Sequence, residues 1–186
     1  WRSYLLNINW KLFRKFVFWF IFIILTSFIV SYLVKPSLND FLSLTDNIGD
    51  LGIPESRTAK FFQYFINNGI KVPFQMLILS FIPIPLLYFS PIFLTAIVTG
   101  IVLYIPFMAE AAGKMTLVDI LAGLLPHMII EFFGFLIIVS SVYYVNQAIR
   151  SQLFKKISSE FSITESLKEL LKVYFLFALP CLVIAA

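Results

Sequence analysis

The stretch VPFQMLILSFIPIPLLYFSPIFLTAIVTGIVLYIPFMA, residues 72–109, decides the fold class. It carries no charged residue over thirty-eight positions. One helix needs about 20 apolar residues to cross the hydrocarbon core of a bilayer, so the run predicts two spans and a reversal. Prolines punctuate it at 73, 83, 85, 91 and 106. Phe89-Ser90-Pro91 is the expected turn, giving spans over about 72–89 and 91–109; Pro83-Ile84-Pro85 is the alternative and would break the helix earlier. Backbone groups freed by such prolines must find partners inside the protein, because lipid offers none.

The rest of the chain fits that reading. Of its 186 residues 60% are hydrophobic, 22 are Phe, and only 13% are charged, against about 25% charged in a soluble domain. A water-exposed surface cannot be assembled from so few charges. Phe16–Val34 is a second uncharged run, preceded by Lys11, Arg14 and Lys15, and predicts a span over 16–34. A third apolar stretch, about 117–145, is interrupted only by Asp119, His127 and Glu131. A fourth begins near 170 and is still apolar at Ala186, so the helix is expected to continue past 186. Trp1 to Trp10 mixes aromatic, basic and polar residues and reads as an N-terminal interfacial helix. The chain opens on Trp1 rather than Met, which implies residues before it, and no cleavable signal peptide is visible. The fold class expected is an all-α integral membrane protein of about five transmembrane helices, organised as one transmembrane helical domain over 1–186.

Local signals refine this. Phe61, Phe62, Phe65 and Ile66 share one helical face after a polar connection, so that segment lies on the membrane or begins the next span. Ser162-Ile163-Thr164-Glu165 is a capping box, in which the serine oxygen and the glutamate carboxylate satisfy amides left open at a helix start. Charge fixes the orientation. Arg2, Lys11, Arg14 and Lys15 precede the first span, and Arg150, Lys155, Lys156, Lys168 and Lys172 lie between the last two. With the N-terminus inside, both clusters are cytoplasmic, and the same anchoring accounts for the net charge of +4 without nucleic acid. Cys181 is the single cysteine, so no intramolecular disulfide and no Cys-based zinc site is available.

One pair stands out. His127 is the only histidine, and Glu131 has no basic residue within fifteen positions on either side. At i and i+4 they share a helix face, and counting about 1.5 Å per residue from Asp119 puts Glu131 roughly 18 Å into the bilayer. Ionisable groups there are expensive and face the protein interior. Four roles compete: hydrogen bonding between helices, with Asn67, Asn68, Gln75 or Ser80 as partners; the lining of a substrate or proton path; a metal site; and a general acid/base pair. A zinc site needs a third ligand, for which Glu110 or Asp119 would have to serve, so zinc is an outside option and no cofactor is expected. There is no Gly-x-x-x-x-Gly-Lys loop for ATP and no Gly-x-Ser-x-Gly elbow. Ser140-Ser141 reads as helix packing.

Leu125-Pro126-His127-Met128-Ile129-Ile130-Glu131 resembles the Pro-His-x-x-x-Glu segment in a late transmembrane helix of the stage II sporulation protein M family. Phe65-Ile66-Asn67-Asn68-Gly69-Ile70 resembles that family's earlier Asn-Asn element. The chain departs from the family at Tyr88-Phe89-Ser90-Pro91, where members usually carry Asn-Gly. The resemblance implies a polar intramembrane site of Asn67, Asn68, His127 and Glu131. The family includes a component of the sporulation engulfment machinery, and related proteins lie beside ABC ATPases in clusters for circular or leaderless bacteriocins. The expected function is therefore that of a non-ATP-hydrolysing membrane subunit in a complex that exports, or gives immunity to, a hydrophobic peptide. Its expected partners are the lipid bilayer, an ABC-type ATPase or other membrane subunits, the peptide, and a second copy of the chain. The alternatives are a sporulation or envelope-remodelling scaffold, and an intramembrane hydrolase or peptide-maturation enzyme using His127 and Glu131. The location implied is the bacterial cytoplasmic membrane.

Overall fold

Long apolar runs with few helix breakers form helices, and in the computed structural model every regular element among the described residues is helical. The structure describes residues 10–37, 40, 56–108, 116–154, 157–159 and 161–186; the segment read as an interfacial helix lies outside them except for Trp10. α1 spans Trp10–Val34. It starts six residues before the uncharged run, because Lys11, Arg14 and Lys15 are good helix formers. Lys35 ends it in a left-handed conformation, φ 54°, with its N–H donating to Ser31 O at 2.8 Å and Pro36 barring continuation.

α2 (Arg57–Tyr64) starts at Ser56, whose Oγ accepts from the Ala59 amide at 3.1 Å. The helix does not stop at Tyr64. It widens into a π-helical stretch, Phe65–Lys71, and narrows again into α3, Val72–Ser80. The segment with the phenylalanine face thus runs directly into the next helix.

The reversal inside 72–109 differs from the expected one. α3 ends at Ser80; residues 81–86 turn, a 3₁₀ turn covers Leu87–Phe89, and α4 runs over Ser90–Val102. The helix predicted over 72–89 therefore breaks at Pro83-Ile84-Pro85, and Phe89-Ser90-Pro91 is a helix start. The reason lies in where proline is tolerated. Pro91 sits in the first turn of α4, where a missing N–H costs nothing, whereas Pro83 and Pro85 would remove two donors from a helix interior. Leu86 completes the turn with φ 64°. The span expected to reach 109 loosens after Val102 into a 3₁₀ turn at Ile105–Phe107.

α5 (Leu117–Leu153) has 37 residues with Pro126 inside it, and extends beyond the predicted end at 145. α6 (Ile163–Val173) begins at the predicted capping box: Ser162 Oγ accepts from the Glu165 amide, and Glu165 Oε2 accepts from the Ser162 amide at 2.9 Å. A second π-helical stretch, Tyr174–Ala178, leads into α7, Leu179–Ala185, so the helix expected from 170 is entered at 163.

Contacts between elements give their directions. Phe16 of α1 stacks on Phe89 at 5.1 Å, and Tyr32 meets Tyr104 at 6.3 Å, so α1 and α4 run parallel. Two neighbouring helices of one direction require the chain to return between them, and Arg57–Ser80 is that return. Its Tyr64 meets His127 and the Ser80 carbonyl meets Asn146, which places it parallel to α5. α6 and α7 oppose α5, since Ser166 Oγ donates to Tyr144 O at 3.4 Å while Gly134 packs on Leu182 and Ala178. The second half of α5 is the centre of the core, with Phe135, Ile138, Val139, Val142 and Val145 all buried. Among the described residues three segments are long and apolar enough to cross a membrane: Trp10–Val34, Leu87–Phe107 and Leu125–Leu153. α1 leaves Phe18, Phe22, Leu25 and Leu33 more than half exposed, a surface suited to lipid rather than water.

Candidate functional site

The i,i+4 spacing on α5 brings His127 and Glu131 together. Nε2 of His127 lies 2.9 Å from Oε2 of Glu131. Glu131 is buried, 7% exposed, while the imidazole keeps 32% of its surface open. Pro126 does not interrupt the helix, so both side chains project from one continuous face. The ring of Tyr64 meets the imidazole edge-on at 6.1 Å. Tyr64 was not foreseen as a site residue; its place one residue before the π-helical stretch, among Phe61, Phe62 and Phe65, was the only hint.

That stretch carries Asn67 and Asn68. A π-helical turn inserts an extra residue per turn and redirects side chains, and such bulges recur at functional sites. Asn67 Nδ2 donates to Asn68 Oδ1 at 2.8 Å, so the two amides pair with each other, with Asn67 exposed and Asn68 half-buried. Neither bonds to His127 or Glu131. Ser80 Oγ donates to Leu77 O at 2.6 Å within its own helix, and Gln75 is exposed. The interhelical bonds expected from these four residues to the pair are not formed. Tyr174, the first residue of the second π-helical stretch, donates its hydroxyl proton to Gly69 O in the first. The two irregular stretches are thus tied to each other across the bundle.

The polar tie between α5 and the preceding helix is made instead by Asn146, which the sequence reading passed over. It is 2% exposed, and its Nδ2 donates to Ser80 O at 2.9 Å and to Ile82 O at 2.8 Å. The break at 81–86 leaves Ser80 O without a helical partner, while Ile82 O also accepts from the Ile84 amide at 2.8 Å. The carboxamide pair Asn146-Gln147 between Val145 and Ala148 in an apolar helix was the available signal, since such groups must find partners. Ser140 and Ser141 donate to the carbonyls of Leu136 and Ile137 one turn back, the packing role expected of them.

The residues next to the pair pack on α1: Phe132 contacts Phe20 at 4.3 Å, and Phe133 contacts Phe13 at 5.8 Å. The pair thus sits beside the first half of α1. Towards the N-terminal end of α5, Gly123 has open space around it and Val118 is 72% exposed.

Chemically, a buried carboxylate holding a partly open imidazole forms a hydrogen-bonding station. It can carry a proton between the two groups, and its open ring can meet a polar atom arriving from outside. Among the described residues no three His, Cys, Asp or Glu side chains gather as a metal set; Glu110 and the Asp119 side chain, the possible third ligands, lie outside that description.

Apolar helices of spanning length around a buried polar pair define a helical membrane protein. The family model of Stage II sporulation protein M matches residues 15–186, and the chain belongs to that family. No curated protein and no solved structure matches it.

Proposed function

We propose that this protein is a non-ATP-hydrolysing membrane subunit of a bacterial complex that exports, or protects the cell from, a hydrophobic peptide such as a bacteriocin. The observation that carries the reading is the His127–Glu131 station, a 2.9 Å pair opened on its imidazole side beside Tyr64. An ionisable pair in an apolar helix is retained at a cost, and an imidazole partly open to the surface gives a passing peptide backbone something to bond. Five crossings of the cytoplasmic membrane with the N-terminus inside fit the alternating helix directions and the basic residues of α1 and α6. Energy would come from a separate ABC-type ATPase. The polar face of α6, with Lys168, Glu169 and Lys172, is its docking surface.

The test is made in the native host. Cells carrying Glu131→Gln or His127→Ala at normal membrane levels should become as sensitive to the peptide, or as deficient in its release, as cells lacking the gene. Unchanged tolerance and release in both variants would refute the role of the pair. The family's own description favours one further reading, an envelope-remodelling scaffold for sporulation; a deletion strain blocked in engulfment with normal peptide tolerance would select it. Stoichiometric zinc in the purified protein, lost in His127→Ala, would select the hydrolase or maturation reading instead.

A further inference from the structure

Between α1 and α4 lies an apolar groove of about 490 Å³, within the size range of small-molecule sites, lined by Phe16, Trp19, Phe22 and Thr26 on one side and Phe89 and Phe93 on the other. It is a consequence of the parallel pairing. Gly100 draws the helices together so closely that a Cβ there would lie 2.5 Å from Ile24 O. Towards Phe89, aromatic side chains hold them apart, and the gap between is the groove.

Charge at one end says what fits. Lys11, Lys15, Trp19 and Phe22 fall at i, i+4, i+8 and i+11, one stripe of α1. The two lysines therefore stand in line with the groove, just beyond its Phe16 end. Both are exposed, and neither has a carboxylate within 4.0 Å among the described residues. Arg14 differs, its Nε turned back to Trp10 O at 3.4 Å. Trp19 is 45% exposed beside them, as tryptophan is at headgroup level. A cationic head and an apolar trough of this length match one chemistry: a phosphate on a long acyl chain.

We propose that this groove binds one anionic phospholipid, its headgroup on Lys11 and Lys15 and an acyl chain along Phe16, Phe22, Phe89 and Phe93. The site is separate from the His127–Glu131 station and does not depend on its function. A hydrophobic peptide would use the trough but not the paired lysines, so the lysines discriminate between occupants.

The purified protein in detergent would be titrated with phosphatidylglycerol and with phosphatidylcholine of identical chains, and bound lipid counted by native mass spectrometry. With two lysines near the headgroup, the anionic lipid should bind roughly 30-fold more tightly. Lys11→Gln/Lys15→Gln should remove that preference while leaving residual binding of both lipids. Ile97 also lines the groove, and Ile97→Trp, which fills the trough, should weaken both. Equal affinities in the wild type, a preference surviving the double lysine variant, or unchanged binding in Ile97→Trp would each overturn the proposal.

Discussion

Replacing Asn146 by Leu tests whether one amide holds the broken helix in place. Leu has similar bulk, so packing is nearly kept and the loss is polar. Two hydrogen bonds disappear, to Ser80 O at 2.9 Å and Ile82 O at 2.8 Å, in a place where Asn146 is 2% exposed. Side-chain bonds inside membrane bundles average about 0.6 kcal/mol, which sets a floor near 1 kcal/mol for the two. Buried bonds in general contribute about 0.5–1.5 kcal/mol net, and more when a group is left unpaired, which raises the figure to about 3 kcal/mol. The expected loss is therefore about 1–3 kcal/mol, accompanied by faster amide exchange across residues 81–89. Unfolding by SDS in mixed micelles, followed by far-UV circular dichroism, measures it. Ser140→Ala is the control, because Ser140 bonds to a carbonyl of its own helix, and its removal leaves no helix break unsupported. A loss below about 0.5 kcal/mol in Asn146→Leu, or one no larger than in Ser140→Ala, would refute the assignment of Asn146 as the clamp.

Further outcomes follow from close packing and capping. Gly100→Ala should cost at least the about 1–3 kcal/mol typical of overpacking, since its Cβ would meet Ile24 O at 2.5 Å and Ser27 Cβ at 2.6 Å. Gly123→Ala, with nothing within 4 Å, should instead be neutral or stabilise by up to about 1 kcal/mol through helix propensity, and the same micelle assay compares them. The Ser162 amide, with the Ser162 hydroxyl second, holds the Glu165 carboxyl below its ordinary value of 4.5. The folded form thus favours the charged state. The cap's contribution is complete above the unfolded value and is lost as pH falls through the lowered folded one. Thermal unfolding in detergent should show that acid-side loss in the wild type and a smaller one in Ser162→Ala; equal pH profiles would refute the coupling. His127→Ala and Glu131→Gln should leave helix content unchanged while abolishing peptide tolerance or release, which circular dichroism and growth assays separate.

Much of the architecture was legible because it depends on composition and short-range spacing. The absence of charge across 72–109 defines the membrane class, the Ser-x-x-Glu pattern fixes the start of α6, and i,i+4 spacing places His127 on Glu131. What was not legible depends on other elements. Proline position alone argues for the break at 83–85, but its anchoring to α5 rests on a side chain more than sixty residues on, Asn146. The π-helical stretches share no composition, since Phe65–Lys71 carries Asn-Asn-Gly whereas Tyr174–Ala178 is wholly apolar or aromatic, so no common sequence pattern announces them. Asn67 and Asn68 were expected with the pair from their polarity and from the family resemblance; in the widened turn they bond to each other.

These irregularities are not scattered. The break at 81–86 is clamped to α5 by Asn146, the first π-helical stretch begins beside His127, and the second is bonded to the first through Tyr174 and Gly69. α1 is regular and largely open to lipid, and α4 is regular with Phe93 and Leu94 exposed. Regular helix is the lowest-cost backbone in a bilayer, where every departure exposes groups that lipid cannot satisfy. A chain that collects its departures on one side of the bundle, each with its own buried partner, has kept them there against a steady free-energy penalty. The α1–α4 side is then the membrane-facing support, with its lipid groove. The side around α5 is where a change of shape would be felt at His127 and Glu131, because Tyr64 links the pair directly to the first widened turn. Substitutions that regularise that turn should therefore disturb the pair without touching it, whereas substitutions on the outer face of α1 should not.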